Sequence, residues 1–368
     1  MTKPRFVVAL TLAVALPALA PGQSAAPKKA LTQADWDIWK SINAPALSSD
    51  GKWAVYTLVP QVGDGELVVR ATSGSTEFHV PRGDLGRPNN IPGGLRGRGA
   101  GTGEEEPAGP ATSPAQITAD SRFVLASIEP AKAEVERVAR ARQNALLART
   151  SLAIVSLPDG KVTTIPNVRS FRLPKSNGGW VAYVPGADSA AGDSSARGGA
   201  TGGRGGRGRG AAAGNRRQFG NALVLRNLST GAEERLSDVL TYAFDDSAKS
   251  LAYTVVARDS SKDGAFLRDL RSGATSTLLA GAGDYKDLAF DRTGTQLVFL
   301  ADRDEFGHAA KPRYTLYQAS TKGGAAQSIV SPSQVTPGMH IADNAGLAFT
   351  RSGTAITFSV APPPIDTV

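Results

Sequence analysis

Three histidines, His79, His308 and His340, are all the imidazole this chain has. A serine nucleophile needs such a base within reach, and in hydrolase folds it stands on a G-x-S-x-G elbow. No such elbow is written anywhere in the sequence. His79 falls in an expected strand, His308 and His340 in expected loops. Cysteine is absent, which excludes thiol nucleophiles, disulfides and cysteine-built metal centres. The densest gathering of acids with a histidine is "DRDEFGH" at 302–308. It could hold a cation, but its spacing matches no standard site such as the EF-hand loop, so it is read as a solvated turn. The glycine-rich runs lack the strand-to-helix context of a phosphate loop. The residues therefore nominate no catalytic residue, no cofactor-binding residue and no metal ligand.

What the chain does write is a repeated scaffold. A polar turn followed by an apolar run occurs at 47–60 ("LSSDGKWAVYTLVP"), 117–130, 173–185, 244–258, 290–304 and 349–362. The turns carry Gly, Asn, Asp or Ser, which tolerate tight geometry, and the runs are rich in strand formers. A second phrase, strand–turn–strand, follows at 67–80, 152–166, 223–236, 266–279 and 314–330, with hairpin signals such as Asp159-Gly160 and Thr230-Gly231. Each unit is thus about four short antiparallel strands, with 285–330 the cleanest. Repeated four-stranded meanders make a β-propeller, because one such sheet cannot bury both faces alone. The expected fold is all-β: a propeller spanning 44–364, with five nearly complete blades and the start of a sixth. A β-sandwich is the alternative.

Other segments decorate that scaffold. "LTQADWDIWKSIN" (31–43) reads as a short helix capped by Thr32, with Trp36 and Trp39 on one face. "AKAEVERVARARQNALLAR" (131–149) reads as a charged helix inserted in the second unit, Glu136 and Arg140 being spaced for an i,i+4 pair. Two low-complexity runs, 86–110 and 186–217, lack the apolar content to pack and are expected to be disordered loops. They carry much of the excess arginine behind the net charge of +8. RGG-like runs can bind polyanions, but no aromatic residues interleave for base stacking, so nucleic acid is not expected as a partner.

The first 22 residues read as an export signal. Lys3 and Arg5 precede "FVVALTLAVALPALA" (6–20), an apolar stretch short for a bilayer. Ala18-Leu19-Ala20 fits a cleavage site, and a cut near Gly22 fits as well, since Pro21 is poorly tolerated just after a cut. The mature protein is expected to be periplasmic or secreted, without stable membrane insertion.

Residues 31–70 resemble the start of exported bacterial serine peptidases of the prolyl oligopeptidase family. The resemblance is carried by Asp35-Trp36, Trp39, Leu47-Ser48, Asp50-Gly51-Lys52-Trp53, Tyr56 and Gly63-Asp64-Gly65-Glu66-Leu67, and continues through 152–174 and 178–186. It implies an N-terminal propeller that admits short peptides to a C-terminal α/β-hydrolase domain carrying the serine, aspartate and histidine. The sequence stops at "SVAPPPIDTV", ahead of any such domain, so no catalytic residue carries over. The resemblance therefore implies a non-catalytic propeller, with the hydrolase domain and peptide substrates as partners. The blade phrases alone also fit a free-standing TolB-like propeller that binds a protein or envelope ligand.

Overall fold

The recurring turn is one hydrogen-bonded device, used five times among the described residues. At its first position stands a side chain with an oxygen: Ser48, Thr118, Asp245, Asp291 or Thr350. That oxygen accepts the backbone N–H five residues on, at Trp53 (3.0 Å), Phe123 (3.0 Å), Ser250 (2.8 Å), Gln296 (2.7 Å) and Ala355 (3.2 Å). The same two residues also pair through their backbones, at 2.9–3.1 Å. The fourth residue is left-handed in every copy, at Gly51, Ser121, Ala248, Gly294 and Gly353. Small residues suit that position, since a side chain there costs about 1–2 kcal/mol unless it is glycine.

A computed structural model describes residues 32, 39–85, 114–141, 149–186, 217–308 and 312–362. The first four-stranded antiparallel sheet is β1 (Lys40–Leu47), β2 (Trp53–Pro60), β3 (Gly65–Ala71) and β4 (Glu77–Gly83), paired in chain order. The second is β5 (Gln116–Ile117), β6 (Phe123–Ile128), β7 (Ser151–Ser156) and β8 (Val162–Ile165). The next seven strands form one sheet: β9 (Val168–Arg172), β10 (Trp180–Pro185), β11 (Asn221–Asn227), β12 (Glu233–Phe244), β13 (Ser250–Val255), β14 (Gly264–Asp269) and β15 (Thr275–Ala280). These are two blades joined through β12. Its first half pairs with β11 (Leu223 with Leu236) and its second with β13 (Tyr242 with Tyr253), with left-handed Asp238 between them. The fifth blade, β16 (Tyr285–Phe290), β17 (Gln296–Ala301), β18 (Thr315–Ser320) and β19 (Gln327–Val330), is the unit expected at 285–330. Two short pairs follow: β20 (His340–Ile341) with β23 (Val360–Ala361), and β21 (Ala348–Phe349) with β22 (Ile356–Thr357).

Alternation along the strands joins these sheets into a stack. Leu297 and Phe299 of β17 pack with Ala252, Leu267 and Leu278 of the fourth blade, while Val298 and Leu300 between them face Ile341 and Phe349 of the sixth unit. Leu125 faces the third blade through Phe171 and Val181, and its neighbours Val124 and Ala126 face the first through Val55 and Leu67. Leu251 and Tyr253 meet Leu223 and Leu225 of the third blade. Interior strands are therefore apolar on both faces, each face against a different neighbour. The chain is a β-propeller of four-stranded blades.

Two expectations are corrected. The helix read over 31–43 does not reach Asn43: residues 40–43 belong to β1 and pair with 57–60 of β2. A left-handed Ala44 and the bulge beside it hide the two-residue period there. Residues 31 and 33–38, Trp36 among them, lie outside the described residues, and Trp39 is half exposed. The inserted helix, α1, spans Lys132–Arg140; 142–148 are outside the described residues. The Arg140–Glu136 pair forms at 3.0 Å. The charged helix also has an apolar side, since its Val135 and Val138 are buried.

Candidate functional site

A meander sorts its connections by end. Turns between first and second strands, and between third and fourth, gather at one end of each blade, here the turn face. The second-to-third-strand loops and the blade-to-blade connectors gather at the other, the loop face. α1 and the acidic 302–308 segment are on the loop face, and the described chain breaks off there at Leu85 and at Gly186.

On this face lies Arg217. The described chain resumes there after 187–216, in the loop between β10 and β11 of the third blade. Its guanidinium reaches two blades onward. Nε donates to Asp284 Oδ1 at 2.7 Å, Nη2 to Asp263 Oδ2 and to the Gly283 carbonyl at 2.9 Å, and Nη1 to the Ala257 carbonyl at 3.4 Å. Phe306 and Phe219 lie against it, ring centroids 5.0 and 5.6 Å away. Asp263 also accepts from Ala257 N at 2.8 Å, and Asp302 accepts from Asp284 N at 2.6 Å. One side chain thus ties the third blade's loop, the fourth blade's loop, the connector before β16 and the fifth blade's loop. Burial disfavours the Arg217 charge, but Asp284 and Asp263 outweigh that and hold its proton more tightly than usual.

The geometry amends two readings. The ends of the 186–217 run do pack: Gly186 exchanges hydrogen bonds with Asn167, and Arg217 forms the clasp just described. Residues 187–216, and 86–110, lie outside the described residues. Nor is 302–308 simply solvated, because Asp302 is 4% exposed and Asp304 binds Tyr317 and Arg303. Among the described residues no group of acids and histidines is arranged to hold a metal ion.

Burial pushes the Asp302 carboxyl up to about 6 from its ordinary 3.8, against the hydrogen bond from Asp284 N. The native state then holds more protons than the unfolded chain between about pH 4 and 6, so the Asp302 contribution to stability is full below 4 and fades as pH rises through 6. Asp302→Asn keeps the acceptor oxygen and removes the titration. It is expected to stabilise the protein at pH 7 by about 1–3 kcal/mol and to flatten stability between pH 4 and 6. Urea denaturation at stepped pH checks this; an unchanged pH profile would refute it.

A fully buried arginine joins the first two blades. Arg82 of β4, 3% exposed, donates to Thr57 Oγ1 at 2.9 Å within its own blade and to the Ser127 carbonyl at 3.0 Å in the next. The three histidines are spread out. His79 lies on β4 between Glu66 (3.0 Å) and Glu77 (3.1 Å). His308 ends the turn after β17. His340 is in β20, not in a loop, and its Nδ1 is buried without a hydrogen-bond partner. Sequence reading missed Arg217, Asp263 and Asp284. The signal for them was an acid just before each of β14 and β16, at places where a solvated loop has no need of one.

The fold and this site define a class: a β-propeller whose loop face is fastened by buried charge. Comparison with family models finds no match, and comparison with curated proteins finds none. Among solved structures the chain is similar to a prolyl endopeptidase, at 11% identity and TM-score 0.40, covering 88% of this chain and 40% of that one. It is similar to the β-propeller domain of the Trilobed protease from Pyrococcus furiosus, at 7% identity and TM-score 0.37, covering 88% and 79%. It is also similar to a putative TolB from Agrobacterium tumefaciens, at 11% identity and TM-score 0.34, covering 89% and 91%. The chain spans about two-fifths of the prolyl endopeptidase it matches. At scores this low the likenesses say nothing of activity, and the fold rests on the strand pairing above.

Proposed function

We propose that this chain is the non-catalytic propeller of an exported, prolyl-oligopeptidase-like serine peptidase, where it restricts peptide access to a hydrolase domain. The observation that carries the reading is the way the resembling residues build the first blade. Ser48, Asp50, Gly51 and Trp53 make the first recurring turn, Ser48 Oγ donating to Asp50 at 2.6 Å. Asp64 accepts from Lys132 N at 2.7 Å, fixing the start of α1 on the loop face. Gly65 leaves room for Leu85, whose side chain would lie 2.4 Å from a β-carbon there. The resemblance therefore falls on residues with defined work rather than on generic strand composition. Export to the periplasm or beyond belongs to the same proposal and rests on the first 22 residues.

Alone, the chain is expected to leave a fluorophosphonate probe unreacted and peptide anilides uncut, because a serine hydroxyl is a weak nucleophile without a held base and a built oxyanion site. Joined to a hydrolase domain of the prolyl oligopeptidase type, it should spare folded proteins while short peptides are cut. Labelling of the isolated chain at one serine, or a hydrolase whose size selection is indifferent to the propeller, would refute the reading. The second outcome would favour the alternative, a free-standing TolB-like propeller that binds a protein or envelope ligand.

A further inference from the structure

We propose that a cleft between the second and third blades binds a peptide through a carboxylate held by Arg122. The cleft opens on the turn face, at the far end of the strands from the Arg217 clasp, and the inference does not depend on a hydrolase partner. Its volume is about 350 Å3, at the small end of ligand pockets. Phe123, Ile154 and Leu228 form its floor, and Ser229 and Lys161 stand on its rim.

The charges in the cleft are unevenly engaged. Arg226 is committed to Glu233 at 2.6 Å. Asp159 is held ionised, below its usual range, by hydrogen bonds from Ser156 and Lys161 N, and it partly offsets Lys161. Arg122 differs. Its guanidinium has a long contact to Ser229 Oγ at 3.5 Å and leans over the Phe123 ring at 5.7 Å. Among the described residues it forms no ion pair with a carboxylate. Its backbone, by contrast, is fixed at both ends: the N–H donates to Asp120 Oδ1 at 3.2 Å in the recurring turn, and the carbonyl accepts from Leu157 N at 2.8 Å. A guanidinium on a fixed backbone, with most of its N–H groups uncommitted, matches the two oxygens of a carboxylate. Beside that carboxylate Phe123, Ile154 and Leu228 offer a small apolar contact for a peptide side chain, and the polar residues around them offer hydrogen-bond partners for its backbone.

Calorimetric titration of the full chain with acetyl-Gly-Phe-Leu as the free acid, as its C-terminal amide, and with digalacturonate tests this. The free acid should bind at least roughly tenfold more tightly than the amide, the scale of one charge-assisted pair, and more weakly as salt rises. Arg122→Gln should lose a similar factor with the melting temperature unchanged, and Lys161→Gln a smaller one. Equal binding of acid and amide, no binding at millimolar peptide, or an Arg122→Gln protein that binds as before would overturn the proposal. Binding of digalacturonate in place of the peptide would overturn the assignment to peptides.

Discussion

Arg217→Met is expected to lower stability by about 3–5 kcal/mol, the cost of leaving one side of a buried ion pair uncompensated. Asp263 is 1% exposed and Asp284 8%, and both would lose their cation at once. Methionine keeps much of the apolar bulk between Phe219 and Phe306, so the loss reports charge and hydrogen bonding rather than a cavity. Arg217→Lys should recover only some of it, because a single ammonium cannot serve Asp263, Asp284 and two carbonyls together. Urea denaturation of the three proteins at pH 7 decides this. A loss under about 1 kcal/mol, the range of a surface pair, would show that the carboxylates are solvated and that the clasp is ornamental.

Gly83→Ala should be about as damaging, by a different route. Gly83 ends β4 at φ +70, and a β-carbon there would lie 1.9 Å from the Glu129 carbonyl oxygen and 2.8 Å from that of Pro130. Both obstacles are backbone, held by Glu129 N to the Arg82 carbonyl (2.8 Å) and Asp84 N to the Pro130 carbonyl (3.0 Å). The left-handed conformation costs about 1–2 kcal/mol for a non-glycine residue, and overpacking adds about 1–3 kcal/mol. Gly74→Ala separates the two, since Gly74 is at φ +84 with nothing within 4 Å of its β-carbon. It should show the first cost alone. Equal losses at the two sites would mean that the first and second blades yield to the added methyl.

Most of the scaffold was legible because its information is local. The five copies of the turn each close within six residues, so Ser48 to Trp53 or Asp291 to Gln296 can be read from one line of sequence. The third blade departs from the pattern. Its turn carries Lys175, Ser176 and Asn177, and leans on the next turn through Lys175–Asp246 (3.2 Å) and Asn177 to the Ser247 carbonyl (3.0 Å). Residues 40–43 were misread because two tryptophans three apart suggest a helical face, while the opposing partners, 57–60, lie beyond the turn. The clasp was illegible for the opposite reason: Arg217 meets Asp263 and Asp284 from 46 and 67 residues away. It also ends a glycine–arginine run whose composition argues against packing of any kind. Short-range hydrogen bonding leaves a signature in sequence, whereas convergence of distant charges on a loop face leaves only isolated acids.

The unbroken course of β12 has a kinetic meaning. Blades that meet only through side chains can separate singly, as neighbouring units in a stacked array do. The third and fourth are coupled more closely, because β12 passes from one ladder to the other without a break and Val239 pairs with both Asn221 of β11 and Val255 of β13. Amide protons along 233–244 would then exchange with solvent together, at the opening free energy of a two-blade unit.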